Sequence, residues 1–560
     1  MPELKKPSVR TDDKEKFKEL TRVHHDLEKI RERYEDDWEM INDLVNARRS
    51  DFDWDKAEGQ KRTKRKVYDP LPGYLARKAA DGLMGNTMNR GSMWFRMHAN
   101  DIHLDRDRLY RQYAEEVEYV LYSLLRYSTF YDSAHDSCMD ALTVGHTVLH
   151  REDDPYQNRL IYTARHPKEV FLGQNRWGQI DTVSRMFFME RREVVKEFKD
   201  KKALPEVFMK LAADEPYKRE KVLHIVRPRE DRDLEKIDSL NKKWESTYLL
   251  PEHDHILSEG GYDRFPYPAV WRWRTNTGEV YARSPSHDAL PDIMRLQEIS
   301  KSMIEFVQEQ ARPSRMYPLE MKGKLDMRPS GMTPYTDPSR KVYRLFDAQN
   351  SYPLTKDMVE VIRSQISEAY YSDVFTVLTM NMHRQKTATE VEELSSERSA
   401  LLTAVAERFT GEYMIPVLRD LYQYAGQKGY LPPIPEGLQG RDLASHIEFA
   451  GPLALNQRRA FLNAGFDSSM QYYMALGQMI PGVLTGINEA KLSRHIAHIT
   501  GLSENVLRSE REIQEIQRAL AEKAAREQEL MEMQAQASAY AQTQGSPQPG
   551  SPAEAMTHGG

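Results

Sequence analysis

The sequence predicts a predominantly helical α+β chain, and three stretches carry that prediction. Residues 286–429 read as helix, Pro-rich excursion, helix, short loop and one very long helix. Residues 144–283 break into short apolar runs divided by turn signals, which is the pattern of strands. Residues 503–536 form a charged helix with Ile513, Ile516 and Leu520 as a narrow seam.

Composition bounds the rest. At 560 residues the chain has room for several domains and an ample core. Apolar residues make up only 39% and charged residues 30%, which implies much surface, long solvated helices or subunit interfaces. A net charge of −6 excludes the global basic field of a nucleic-acid regulator. Cys138 is the single cysteine, so no intramolecular disulfide or Cys-cluster metal site exists. The opening Met1-Pro2-Glu3-Leu4 lacks the apolar core of a signal peptide, and no stretch has the length of a membrane span. The expectation is a soluble protein of a reducing compartment.

Taken in order, 13–47 is a long amphipathic helix, with Phe17, Leu20, Leu27, Ile30, Tyr34, Trp38, Ile41 and Leu44 on one side. The cluster Lys61, Arg62, Lys64, Arg65, Lys66 reads as a solvated loop or a phosphate contact. Helices follow over 73–83, 106–127 and 131–143, with Ser92–Met97 as an apolar strand or anchor between them. Strands are expected at 147–150, 160–162, 170–172, 180–186, 222–226, 244–250 and 270–274, and a helix at 192–199. Asn175-Arg-Trp-Gly178 and Thr275-Asn-Thr-Gly278 are turns.

The helix 288–311 has Asp288 as its N-cap and Pro291 in the tolerant first turn. Ile293, Leu296, Ile299, Met303 and Phe306 make one apolar stripe. The helix stops at Arg312-Pro313. Its return partner, 355–371, places Met358, Ile362, Ile366 and Tyr370 on one face. Thr387-Ala-Thr-Glu390 is a capping box, in which the Thr387 hydroxyl accepts from the Glu390 N–H and the Glu390 carboxylate reaches back. It opens a helix kinked at Pro416 and ending near Gly426 or Gly429. Beyond a Pro-rich segment at 431–435 come helices near 455–462, 468–477 and 488–501, and a low-complexity tail closes the chain.

No phosphate loop and no nucleophile elbow occurs. His253-Asp254-His255, read as extended, aims two imidazoles one way without a third ligand. His146 and His150 read as surface or core histidines, and His24 and His25 as solvent-facing. Asp36-Asp37 and Asp153-Asp154 read as surface pairs. The reading is architectural, with no catalytic residue, metal or cofactor.

Five pieces then carry a resemblance: Ser92-Met-Trp-Phe95, Gly278-Glu-Val-Tyr-Ala-Arg-Ser-Pro285, Ala289-Leu-Pro-Asp-Ile293, Thr387-Ala-Thr-Glu-Val391 and Gly451-Pro-Leu-Ala454. In this order and spacing the chain resembles the portal, or head-to-tail connector, proteins of short-tailed bacteriophages. Ala282 stands where such proteins carry Gly, and Asn456 where Ala is usual.

The resemblance implies a ring subunit of the virion, made in the host cytoplasm, usually twelve to a ring at one capsid vertex. It implies a β-containing wing (1–285), a first stem helix (286–311), a clip (312–354), a second stem helix (355–371) and a channel loop (372–386). A long wing helix (387–428), a wing or crown segment (429–501), a C-terminal crown or barrel helix (502–537) and a disordered tail (538–560) follow. Implied partners are the terminase large subunit, capsid and scaffold protein, tail adaptor or nozzle proteins, core or ejection proteins at the crown, and double-stranded DNA passing without sequence specificity. A scaffold or adaptor of the virion without a channel is the alternative.

The clip carries eight basic residues (Arg312, Arg315, Lys322, Lys324, Arg328, Arg340, Lys341, Arg344) against four acids (Glu320, Asp326, Asp337, Asp347), a balance of 8 − 4 = +4. Arg315, Lys322, Lys324, Arg328, Lys341 and Arg344 either dock a partner or pair between subunits. In the channel loop, Asn381, His383, Arg384 and Lys386 form its polar half. Arg384 and Lys386 either touch phosphates or pair with Glu390, Glu392 or Glu393. The stem stripe is expected to lie buried against the paired helix or a neighbouring subunit.

Overall fold

Antiparallel strands, whose successive residues point to opposite faces, build the core of a largely helical chain. A computed structural model describes residues 11–46, 66–311, 315–316, 343–344, 352–372, 403–449, 472–473, 492 and 510–543, apart from scattered loop positions. The chain divides into two units: Met1–Asn100 with Ala114–Ile434 and Asp442–Phe466, and Asp101–Tyr113 with Pro435–Arg441 and Asp467–Gly560.

In the first unit, β4 (Val170–Gln174), β5 (Ile180–Glu190), β6 (Arg219–Pro228), β7 (Trp244–Leu250) and β8 (His255–Tyr262) form an antiparallel meander in chain order. Phe171, Met186, Leu223, Ile225, Leu249 and Ile256 face Phe17, Leu20 and Leu27 of α1 (Thr11–Leu44). Their neighbours Phe187, Val222, Leu250 and Leu257 face α6 (Arg191–Phe198) and α7 (Glu206–Asp214) through Val194, Phe198, Phe208 and Ala212. Both faces are buried, so the strands read as continuous apolar runs rather than alternating ones. A second sheet, β3 (Arg159–Arg165), β2 (His146–Asp154) and β9 (Ala269–Arg272), packs on the first through Val148, Val183, Val226, Tyr267 and Trp38.

The remaining helices largely match expectation: α2 (Leu71–Thr87), α4 (Arg108–Tyr127) and α5 (Phe130–Thr143). The motif Ser92–Phe95 leads into β1 (Phe95–Ala99), which pairs with β12 (Ser445–Phe449) in a two-stranded ribbon. The other edge of β1 is served by α4 side chains. The Tyr122 hydroxyl accepts from Phe95 N at 2.6 Å and donates to Phe95 O at 3.0 Å, and Glu118 accepts from Met97 N at 2.6 Å. Burial pushes the Glu118 carboxyl up to about 7. Trp94 and Phe95 are fully buried there.

Several expectations are corrected. α7 and β8 carried no strong period and were not anticipated. His253-Asp254-His255 is not extended: a 3-10 turn over Pro251–His253 ends in left-handed Asp254 at φ 48°, and His255 begins β8. His24 is buried rather than solvent-facing, bonded to Ser184 Oγ at 2.9 Å and edge-on to Phe171. His146 and His150, expected at the surface or in the core, are core residues of β2. Pro416 marks the irregularity expected of this long helix. It cannot bond the carbonyl four residues back, and the helix widens into a π turn at Thr410–Met414 between α10 (Thr403–Phe409) and α11 (Ile415–Lys428). α11 ends at left-handed Gly429, with Tyr430 N on Ala425 O.

The second unit holds α3 (Ile102–Asp105), the 3-10 turn Glu436–Leu438 and α12 (Glu510–Thr543). Arg111 binds the Asp105 carbonyl at 2.5 Å, and Arg441 pairs with Asp107 at 3.3 Å. The described side chains of α12 are exposed along its length, and the helix runs past Gln536 to Thr543. The basic residues 61–65 and the helices expected at 455–462, 468–477 and 488–501 lie outside the described residues, apart from helical backbone at 472–473 and 492. Among the described residues no helix is long and apolar enough to cross a membrane.

At one position a left-handed backbone and close packing together demand glycine. Gly145 joins α5 to β2 at φ +99°, and an added Cβ would lie 2.5 Å from the Ala282 carbonyl oxygen. Gly145→Ala is expected to destabilise the first unit by about 2–3 kcal/mol, combining strain with the clash. A thermal melt of the variant that matches the parent would refute this.

Candidate functional site: the root of the two-helix hairpin

Where three chain segments converge with buried ends, each orphan backbone group needs a partner. The convergence here joins the end of α5, the start of α8 (Pro285–Ala311) and the end of α9 (Tyr352–Ala369). Helix α8 starts three residues earlier than expected, so Asp288 is inside it, and Ser284 takes the capping role. The Ser284 hydroxyl oxygen accepts from His287 N at 3.3 Å, and His287 Nδ1 accepts from Ser284 N at 3.1 Å. This is a capping box with histidine in place of the acid, and Pro285 occupies the first turn, where its missing N–H is harmless. The bond requires Nδ1 to be unprotonated. Burial lowers His287 to about 4, consistent with that state.

The same serines close α5. Ser284 Oγ donates to Thr143 O at 2.6 Å, and Ser286 Oγ donates to Leu142 O at 2.8 Å. Ser286 Oγ also meets the Tyr370 hydroxyl at 2.6 Å, tying in the end of α9. Ser284, Ser286 and Tyr370 are all fully buried.

A second clamp lies further along the hairpin. Gln297 of α8 accepts from Tyr68 N at 2.7 Å and Asp69 N at 3.0 Å, and donates to Asp69 O at 2.8 Å. Arg363 of α9 grips Asp69 Oδ2 at 2.8 Å, while Asp69 Oδ1 accepts from Leu71 N at 2.9 Å to start α2. Both hairpin helices are thus fixed to one short segment. A third attachment, Arg272 of β9, donates to Gly178 O at 2.8 Å and to both oxygens of Glu412 on the π turn, from N at 3.0 Å and NH2 at 3.1 Å. Asp420 of α11 meets Arg151 at 3.3 Å and Arg264 at 3.1 Å. Desolvation raises the Asp420 carboxyl despite these cations.

The anticipated stripe divides in two. Ile293 and Leu296 are buried against Ile362 and Ile366 within the subunit, whereas Ile299, Met303 and Phe306 are half-buried. Met358 is not on the buried face: it is 55% exposed, and Val359 takes its place. Met294, Ile304 and Val307 of α8 and Val361 of α9 are also exposed, between 43% and 58%. Ile304 and Val307 lie three turns beyond Ile293 and Leu296 on the same face of α8, so that face is buried at the root and exposed further out.

Between α8 and α9, β10 (Arg315–Met316) pairs antiparallel with β11 (Tyr343–Arg344), so Arg315 and Arg344 stand opposite each other in the ladder. Lys322, Lys324, Arg328 and Lys341 lie outside the described residues, as do Asn381, His383, Arg384, Lys386, Thr387 and Glu390. Sequence reasoning missed Ser284, Ser286, Asp69, Gln297 and Arg363. The available signal was Ser284-Pro-Ser-His287 immediately before an apolar stripe, a cap with its N1 proline.

Removing one hydroxyl should strand its partners. Ser286→Ala leaves Leu142 O and the buried Tyr370 hydroxyl short of a bond, a loss of about 1–3 kcal/mol. Hydrogen exchange should then rise at the first turn of α8 and the last turn of α9 ahead of β4–β8. Unchanged protection at both helix ends would refute the joint.

Two comparisons bear on identity. A family model described as bacteriophage head to tail connecting protein matches residues 17–507. Among curated proteins, the chain is 26% identical over 490 residues to the "Probable portal protein" of Bordetella phage BPP-1, covering 85% of this chain and 86% of that one. It is also 26% identical over 510 residues to the "Portal protein" of Salmonella phage epsilon15, covering 89% and 90%.

Proposed function

The chain belongs to the bacteriophage head to tail connecting protein family, and from that premise we propose that it forms the ring through which DNA enters and leaves the capsid. As a member of that family it is a structural connector of the virion and not an enzyme. In this reading 1–285 is the wing, α8 and α9 are the stem, 312–354 is the clip, and 372–386 lines the channel. The long wing helix, 387–428, leads into the crown segments 429–501 and 502–537. Terminase and then tail adaptors dock at the clip, core or ejection proteins at the crown, and capsid or scaffold protein around the wing.

The observation that supports ring assembly is the exposed apolar set of Ile304 and Val307 on the outer part of α8 and Met358 and Val361 on α9. Exposed apolar residues along one hairpin need a cover, and the neighbouring hairpin in a closed head-to-tail ring supplies one. Leu296 is a poor test of this, because its burial lies inside the subunit. Replacing Ile304, Val307, Met358 and Val361 together with Ser is expected to leave the monomer folded and abolish the ring. Sedimentation at the parent's ring size would refute the role of this face.

The channel proposal rests on charge economy in the chain as a whole. Each neutralised phosphate adds salt-dependent affinity, so a passage should carry few cations in chosen rings. Arg384→Ala with Lys386→Ala should leave assembly intact and lower the fraction of filled heads. Equal filling and retention would favour pairing of Arg384 and Lys386 with Glu390, Glu392 or Glu393.

A further inference from the structure

The two sheets of the first unit meet across a buried polar seam that neither the stem nor the channel uses. On β2, His150 Nδ1 accepts from Arg165 of β3 at 2.7 Å. A guanidinium only donates, so this bond fixes Nδ1 as unprotonated. On β6, His224 lies flat on Tyr248 of β7, with ring centroids 3.9 Å apart and planes within 6°. Its Nε2 is 2.9 Å from Ser246 Oγ, and its Nδ1 is 3.5 Å from the Tyr267 hydroxyl. Tyr267 also packs on His150 at 4.9 Å, so one tyrosine links the two imidazoles. Both histidines are almost wholly buried.

The charged neighbours balance only while both rings are neutral. Arg165 and Arg185 face Glu152 and Glu169, a sum of 2 − 2 = 0. Glu152 lies 3.5 Å from both His150 and Arg165, and Glu169 lies 3.0 Å from Arg185. Arg151, next to His150 in sequence, is engaged by Asp420. Tyr248, Tyr262 and Tyr267 complete the surroundings, and burial holds these phenols un-ionised. Two added protons would leave +2 in the seam, with half-exposed Glu152 as the nearest counter-charge. Burial first, and then the adjacent arginines, hold both histidines well below their ordinary value.

We propose that this seam is a proton-operated latch: uptake of a proton by each of His150 and His224 parts the three-stranded sheet from the five-stranded one while each sheet stays intact. The three-stranded sheet carries Arg151 and Arg272, the partners of Asp420 and Glu412, so parting would carry α11 and the π turn away with that sheet. The sign follows from linkage. The closed seam holds neutral rings and the open one ordinary histidines, so closure is stable above about pH 6.5 and weakens as pH falls. With two protons taken up, the opening constant rises about 100-fold per pH unit.

The test is hydroxyl-radical footprinting of the full chain between pH 7.5 and 5, with the dose calibrated at each pH and read at the buried Tyr267 side chain, which the parted seam exposes while the β2 and β6 ladders keep their amides protected. The expected result is an opening constant that climbs about 100-fold per unit below the histidine value while circular dichroism keeps its helical signal. Gln at either position retains an acceptor for Arg165 or Ser246, so His150→Gln with His224→Gln should give a flat profile. If that pair does not fold, His150→Gln alone should reduce the slope to about tenfold per unit. His24→Gln, which alters a buried histidine outside the seam, should leave the slope unchanged. A slope unaffected by the seam variants, or Tyr267 labelled only together with loss of helix or of amide protection in β2 and β6, overturns the latch.

Discussion

Buried carbonyl oxygens must find donors, and at the root of the hairpin two serine hydroxyls supply them. Thr143 O and Leu142 O end α5 where no further helical N–H is available, and Ser284 and Ser286 answer them while α8 begins. Everything beyond this point inherits its direction from that exchange. The hairpin leaves the body at the angle set by two hydroxyls, and Tyr370 returns to the same place. The Asp69 clamp then fixes rotation about that root, because it holds α8 through an amide and α9 through a guanidinium. A long hairpin held at a single pivot would swing, and the two-point attachment prevents it.

The long helix is attached by a different principle. Pro416 denies its helix a bond, and the resulting π turn turns Glu412 toward Arg272, which it meets through both carboxylate oxygens. The helix defect and the ion pair are one device: a regular helix would rotate Glu412 away. Asp420, two turns further on, meets two arginines with its carboxyl raised by burial. Such half-compensated pairs contribute geometry more than net stability.

Much of the architecture was legible because it rests on periodicity. The stripe through Ile293 and Leu296 follows from a period near 3.6, and Val170–Leu172 and Val222–Val226 show as short apolar runs between polar segments. Strand β8 escaped because only Ile256 and Leu257 are strongly apolar before Gly260 and Gly261 dilute the pattern. His24 escaped because its polar ring faces a sheet, where Ser184 receives it, and helix period alone cannot announce a hydrogen bond across the core. Met358 and Val359 exchanged faces because either fits a near-helical spacing, and the crossing of α9 with α8 decides between them. The joint was the hardest to read, because Asp69, Gln297 and Arg363 are far apart in sequence and each is unremarkable alone.

The β1–β12 ribbon has a consequence for how the chain comes into being. Phe95 pairs with Phe449, a separation of 449 − 95 = 354 residues. At ribosomal rates of roughly 5–20 residues per second, β1 waits on the order of 20–70 s for its strand partner. During that wait Tyr122 and Glu118 can already cover one of its edges, since α4 is made soon afterwards. The other edge stays open, a template for mispairing among nascent chains on one message. Completion of the ribbon therefore marks a late step of synthesis, after which a subunit no longer offers a bare strand to its siblings.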